Sequence, residues 1–511
     1  MCYSRRMTWL ARLHRWANRN EWILFLLLVV LVLRAPSLFV PHFYGDEEIY
    51  LVMGRAWREG LSLYRVVFDH KPPGIYVVAG VFNNLFAFHA ALTVAMLGQT
   101  VLFWLFARRF WEARPKLAYI SSLVFTLLTT LQWFEGLVVN AELFMMIPVV
   151  ASLLMVWRLD STRSKNAGHV LLKYFVGGIV AGIGLLFKIP VAADILAIAL
   201  YLFAFRKTSF WGSIRGFFSW QTFLYLGGFI LPLGLTLVYY FTRGIGHSYL
   251  SAVFTDNFGY ISSGSLHTFS LIDTLKNGLV ARTGILVAVV FLLYLLRKRL
   301  PTEFVFATLW FSFSFYAALL SGRPYPHYLL QPIVPFSLLL PFVFVLDTVV
   351  GWMLAALLLF IGIVAGKSLG FGTYPLWTIY TDEYQLVTKQ ISYSTYLSRY
   401  TNAPRNYDIG AYLLAHMLPE DRLYVWGADA TLYNITDRLP AAGRYTVSFH
   451  VADMHAYDEV IQDLRAHEPR YIVILPSGGS FPELSSLLST NYVLVHSILG
   501  SNVYLEIGSR H

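Results

Sequence analysis

The sequence predicts a polytopic α-helical membrane protein that carries a small extracytoplasmic α/β domain at its C-terminal end. Three observations predict it. Of the 511 residues, 57% are hydrophobic and 13% charged, against roughly 25% charged in soluble domains. Apolar runs of about 20 residues, the length that crosses a bilayer, recur between residues 22 and 368. After residue 369 the pattern turns to short period-2 runs alternating with helical spacing, as in a mixed α/β layer. The chain therefore divides into a multi-span domain, 1–369, and a soluble domain, 370–511.

The spans are expected near 22–40, 91–107, 117–133, 142–157, 170–187, 189–205, 221–241, 280–296, 303–320, 328–346 and 350–368, about eleven in all. Basic residues fix the orientation, because cytoplasmic loops carry the excess of Lys and Arg. With the N-terminus inside, the inside segments hold Arg5, Arg6, Arg12, Arg15 and Arg19; Arg108, Arg109, Arg114 and Lys116; Arg158, Arg163 and Lys165; Arg206, Lys207 and Arg215; and Arg297, Lys298 and Arg299. The net charge of +10 is thereby accounted for by topology, and nucleic acid is not implied as a partner. Residues 35–43, APSLFVPHF, lack a small-residue cleavage pattern, so the first run reads as a retained anchor. Cys2 is the single cysteine, which rules out an intramolecular disulfide framework.

This orientation places residues 41–90, the loop near 134–141, the stretch 242–279, the turn 321–327 and everything after 369 on the outer side. Residues 75–90 are apolar but short and broken by Asn83, Asn84 and His89; they read as helix lying along the interface. In the soluble domain, 422–426, 470–475, 492–496 and 502–506 read as strands, 456–467 as a helix, and 376–417 as a helical link. Asn434-Ile435-Thr436 is a sequon, a pattern common by chance.

Polar residues from distant parts of the chain fall on that outer face, and are expected to share one cavity there. Asp46 and Glu47 follow the first span; His70 and Lys71 close the first outer loop; Glu142 opens the fourth span; Lys188 ends the fifth; Arg323, His327 and Tyr328 precede the tenth. Asp46-Glu47 can cap a helix, but a carboxylate pair at interface depth is expensive for a cap alone. Lys71 can snorkel to headgroups; the rigid Lys71-Pro72-Pro73 turn favours a site. For Lys188, snorkelling and a site weigh evenly. Glu142 can complement a helix N-terminus, and Arg323 and His327 can meet lipid phosphates. Glu48, Asp256, His267 and Asp273 read as solvated. A carboxylate can take a proton from an attacking hydroxyl, and basic groups can hold a leaving phosphate. The set therefore suits group transfer from a lipid-phosphate carrier.

Four segments, in order, carry a resemblance: GDEEIYLVMGRAWREG, FDHKPPGIYVVAG, VVNAELFMMIPVVASLL and SGRPYPHYLLQPIVPFSLLL. Over roughly residues 20–345 the chain resembles the polytopic GT-C glycosyltransferases, near the protein O-mannosyltransferases and the lipid A aminoarabinose transferases. The resemblance implies an inverting transferase with a polyprenyl-phosphate sugar as donor and a glycolipid, polysaccharide or protein as acceptor. It implies no required cofactor, and the divalent metal is left unassigned. On this analogy Asp46 is the general base or orients the acceptor, Glu47 supports it, and Glu142 is the second acidic group. Lys71, Lys188, Arg323 and His327 hold the donor phosphate, with His70 and Tyr328 as further substrate contacts. A transporter or flippase of an anionic lipid-linked glycan is the alternative. It predicts charged or broken positions at mid-span and paired halves, and no internal repeat is visible.

Overall fold

The computed structural model describes residues 20–159, 167–256, 278–321, 323, 325–364, 371–372 and 374–508. The expected basic residues Arg5 to Arg19, Arg163 and Lys165, and the loop residues His267 and Asp273, lie outside them. Every expected span coincides with an apolar helix. Helices α1 (Glu21–Arg34), α2 (Gly45–Arg58), α3 (Gly74–Val81), α4 (Leu85–Phe110), α5 (Pro115–Thr130), α6 (Ala141–Val156), α7 (Ala167–Gly182), α8 (Val191–Ala199) and α9 (Trp220–Thr242) precede α10 (Gly278–Leu296), α11 (Thr302–Ala318), α12 (Leu330–Leu339) and α13 (Thr348–Ile363). Among the described residues, six helical segments are long and apolar enough to cross a membrane.

Residues 85–90 do not lie in an interfacial helix as expected. Asn84 Oδ1 accepts from Ala87 N at 2.9 Å, so it caps the helix where it stands. Leu85 then opens α4, which continues unbroken to Phe110. The interfacial reading applies at most to Gly74–Val81.

Packing divides the chain into two compact units. The first comprises Met1–Ala35, Leu92–Gly234 and Gly264–Leu376; the second comprises Pro36–Ala91, Leu235–Ser263 and Trp377–His511. Residues 36–91 and 235–256 thus group with the C-terminal residues in the second unit.

In the first unit, the sequence GIVAG lets α7 and α9 touch backbone to backbone. A Cβ at Gly178 would lie 2.1 Å from the Tyr225 carbonyl oxygen, and one at Gly182 2.2 Å from that of Phe229. Small residues four apart are what allow such close helix contact in lipid. Two buried polar devices hold the rest. Asp194 of α8 accepts from Trp310 Nε1 at 2.7 Å, from Ser314 Oγ and from Gln331 Nε2 at 2.5 Å, tying α8 to α11 and α12. Arg34, fully buried at the end of α1, donates to the carbonyls of Gly136 (2.6 Å) and Leu137 (3.2 Å), fixing the loop between α5 and α6.

In the second unit, α2 and α3 pack through Gly54 and Gly80; a Cβ at Gly54 would meet Gly80 N at 2.4 Å. The C-terminal residues contribute α14 (Ala403–His416), β1 (Leu423–Trp426), α15 (Tyr457–His467), β2 (Tyr471–Ile474), α16 (Pro482–Asn491), β3 (Tyr492–Ile498) and β4 (Ser501–Glu506). The strands fall where the alternation predicts them. Their order is β1-β2-β4-β3, parallel between β1 and β2 and antiparallel elsewhere. Residues 41–90 are sewn to this layer. Phe68 N donates to Arg444 O at 2.8 Å, Arg444 Nη1 to Tyr64 O at 3.1 Å, and Arg55 Nη1 to the carbonyls of Tyr433 and Arg438 at 2.9 and 2.8 Å.

Arg34→Met should lower thermal stability in detergent. It deletes two buried, charge-assisted hydrogen bonds and strands two carbonyls, a loss of about 3 kcal/mol. An unchanged melting temperature would show that the loop does not depend on Arg34.

Candidate active site

The expected residues assemble into two groups, one in each unit. In the second unit, α2 begins at Gly45, so Asp46, Glu47 and Glu48 occupy its first turn, where the helix dipole favours negative charge. Their surroundings differ. Asp46 is partly open, accepts from Tyr50 OH at 3.0 Å, and lies 3.5 Å from Lys71 Nζ. Glu47 is buried against His89 Nε2 at 3.0 Å. Glu48, expected to be solvated, is fully buried. His42 Nδ1 approaches it at 2.9 Å, and Asn434 Nδ2 donates to it at 2.7 Å. The helix packs against the C-terminal layer on the Glu48 side, so only Asp46 of the three acids stays partly open. The sequon amide of Asn434 is used in this contact.

Lys71 is positioned by its backbone. Tyr64 OH donates to Lys71 O at 2.8 Å, and Lys71 N donates to Tyr76 OH at 3.1 Å. Pro72 and Pro73 then lead directly into α3. The ammonium sits between Asp46 (3.5 Å) and Asp69 (3.6 Å) and over the Tyr50 ring at 4.9 Å. Asp69 is buried and accepts from Tyr76 OH at 2.7 Å. Burial works against its ionisation, but the Lys71 ammonium and the Tyr76 hydroxyl hold the carboxyl well below the usual carboxylate range. His450 Nε2 is 3.7 Å from Asp69 Oδ1, and the His70 and His450 rings meet edge-on at 4.9 Å. Burial pushes both imidazoles down, His450 to about 3, so both are neutral at pH 7.

In the first unit, Glu142 occupies the first turn of α6, almost wholly buried. Lys188, on the turn between α7 and α8, makes a direct ion pair with it. Lys188 Nζ also stands over the Tyr328 ring at 4.1 Å. His327 Nε2 is 3.9 Å from Glu142 Oε1, and His327 Nδ1 meets Glu135 Oε2 at 2.5 Å. Glu135 adopts φ of 60°, and Tyr374 is hydrogen-bonded to it. Arg323 stands on the turn just before, with its backbone N–H donating to Ser321 Oγ at 3.3 Å. Asp256, expected to be solvated, is half-buried and accepts from Ser251 Oγ at 2.8 Å.

Glu135, Asp69, His450 and Asp194 were not assigned roles from sequence. Asp194 carried a readable signal, an acidic residue inside an apolar run; His450 carried none. Among the described residues, no three His, Cys, Asp or Glu side chains gather as metal ligands.

No known family profile and no curated protein matches this chain. Solved structures do. The crystal structure of ArnT from Cupriavidus metallidurans bound to undecaprenyl phosphate aligns over 96% of this chain and 99% of its own, at 16% identity and TM-score 0.58. The apo state of the same enzyme aligns over 95% and 98%, at 14% identity and TM-score 0.54. An oligosaccharyltransferase from Archaeoglobus fulgidus aligns over 90% of this chain and 69% of its own, at 13% identity; its TM-score of 0.43 is too low to carry an argument. The chain therefore has the GT-C fold that the four segments implied.

The depressed histidines make stability fall on acidification. The unfolded chain protonates His450 near its ordinary value of 6.5, while the folded chain keeps it neutral down to about 3. Stability is therefore full above pH 6.5 and declines below it, with His450 alone removing about 2 kcal/mol by pH 5. Melting curves from pH 7 to 5 should fall less steeply for His450→Gln than for wild type. Parallel curves would contradict the burial argument.

Proposed function

We propose that this protein is a glycosyltransferase that moves a sugar from a polyprenyl-phosphate donor to a hydroxyl acceptor on the outer face of the membrane. The observation that carries the proposal is the pairing of the buried carboxylates Glu142 and Asp69 with Lys188 and Lys71, in a chain with the fold of a protein crystallised with undecaprenyl phosphate. An intramembrane ion pair is costly. Its maintenance at Glu142–Lys188 is best explained by a ligand that uses the charge.

In the proposed reaction the acceptor hydroxyl oxygen attacks the anomeric carbon on the face opposite the phosphate. The bond from that carbon to the phosphate oxygen breaks, and its electron pair leaves with the polyprenyl phosphate. The hydroxyl proton passes to Asp46. Asp46 suits the role because it is the most open carboxylate of its turn, with Lys71 Nζ at 3.5 Å and Tyr50 OH at 3.0 Å to orient it. Lys188, held by Glu142 and backed by the Tyr328 ring, binds the phosphate together with His327. Glu135 fixes the ring of His327 through Nδ1, which turns Nε2 toward Glu142 beside Lys188. Lys71 is the cation of the second unit proposed to meet the donor, and Glu47 anchors α2 through His89. The role of Arg323 is to widen the phosphate site from the adjoining turn, and His70 contacts substrate beside Lys71.

A transfer assay in detergent with a panel of polyprenyl-phosphate sugars tests this reading. Asp46→Asn should lower turnover by at least about 100-fold, the scale of a lost general base, with normal folding and little change in donor affinity. Lys188→Ala should raise the KM for donor first, with partial rescue by Lys188→Arg. Unchanged turnover in Asp46→Asn would remove it as the base, and an effect of Lys188→Ala on acceptor KM alone would remove the phosphate role.

A further inference from the structure

The C-terminal ends of α4 and α6 enclose a cleft of about 610 Å³, in the volume range of ligand sites. Its wall is apolar, formed by Leu105, Leu154, Met155, Trp157 and Leu159. Its polar edge carries Arg108, Arg109, Arg158 and Glu112. These charges are not equivalent. Arg158 is paired with Glu112. Arg109 donates to the Leu154 carbonyl, one of the α6 carbonyls that lack an intrahelical donor. Arg108 lies against the Trp104 ring at 5.7 Å and has no carboxylate partner among the described residues. After the Glu112 pair, two guanidinium charges remain beside an apolar wall.

We propose that this cleft binds one anionic phospholipid, its phosphodiester on Arg108 and Arg109 and an acyl chain along Leu105, Leu154 and Met155. A soluble anion would use the arginines and leave the wall exposed to water. A zwitterionic lipid would use the wall and leave the charge unbalanced. Basic pockets between membrane helices recognise anionic headgroups in this way. Arginines that merely snorkel would each reach bulk lipid separately; here they border one concave, apolar-walled space. Trp157, buried with its ring stacked on Tyr201 at 5.6 Å, keeps the floor of the cleft rigid. Helix α6 carries Glu142 at its opposite end, so the cleft is remote from the residues proposed for sugar transfer.

The test is native mass spectrometry of the full-length protein in detergent, titrated separately with dioleoyl phosphatidylglycerol and dioleoyl phosphatidylcholine. One saturable phosphatidylglycerol adduct is expected, held at least about tenfold more tightly than phosphatidylcholine. Arg108→Gln, which breaks no ion pair, should weaken it about fivefold, and Arg108→Gln with Arg109→Gln about 30-fold, at roughly 1 kcal/mol per arginine near the surface. Equal retention of the two lipids overturns the proposal. So does wild-type affinity in both variants, as does full displacement of the lipid by soluble glycerol 3-phosphate. Should the double variant melt early, Arg108→Gln alone decides.

Discussion

A carboxylate buried among membrane helices persists only where a cation or strong donors meet it. That constraint organises the first unit. Glu142 and Lys188 neutralise each other, and each alone would be a stranded charge; breaking such a pair costs about 3–5 kcal/mol. The pair therefore fixes the turn after α7 against the start of α6. His327 joins through both ring nitrogens, one toward Glu135 and one toward Glu142. Arg34 and Asp194 do parallel work around it. The arginine holds the loop that presents Glu135, and the aspartate ties α12, which His327 precedes, to α8, which Lys188 precedes.

The second unit answers the same constraint with residues from the far end of the chain. Three consecutive acids open α2, and their neighbours sort them. Glu47 and Glu48 are buried on His89, His42 and Asn434, which leaves Asp46 as the accessible one. Asp69 is satisfied by Tyr76, Lys71 and His450. The C-terminal layer is therefore part of the machinery that holds residues 41–90 in place: His450 and Asn434 supply side chains, and Arg444 supplies backbone and side-chain bonds.

The fold was legible because apolar length and strand alternation are local signals. Among the described residues an apolar helix overlaps each expected span, six of them long enough to cross a membrane, and the four strands stand where period-2 runs place them. What was misjudged depended on distant partners. Glu48 reads as a solvated helix residue until Asn434 and His42 close over it. Residues 85–90 read as interfacial because Asn83 and Asn84 interrupt the apolar run, yet Asn84 begins the helix instead of ending one. Asp46, Lys71, Glu142, Lys188 and His327 stand out in the sequence because charge at membrane depth is rare, and the structure gives each of them a charged neighbour. His450 and Glu135 were not, since nothing near them in sequence indicates which charge they will face.

The most direct measurement is photo-crosslinking with undecaprenyl phosphate that carries a photoreactive group beside its phosphate, followed by peptide mapping. Adducts are predicted in the segments around Glu142, Lys188 and His327–Tyr328, and are predicted to disappear under competition by unlabelled undecaprenyl phosphate. Competable adducts that avoid all three segments would contradict the assignment of these buried charges to the donor phosphate.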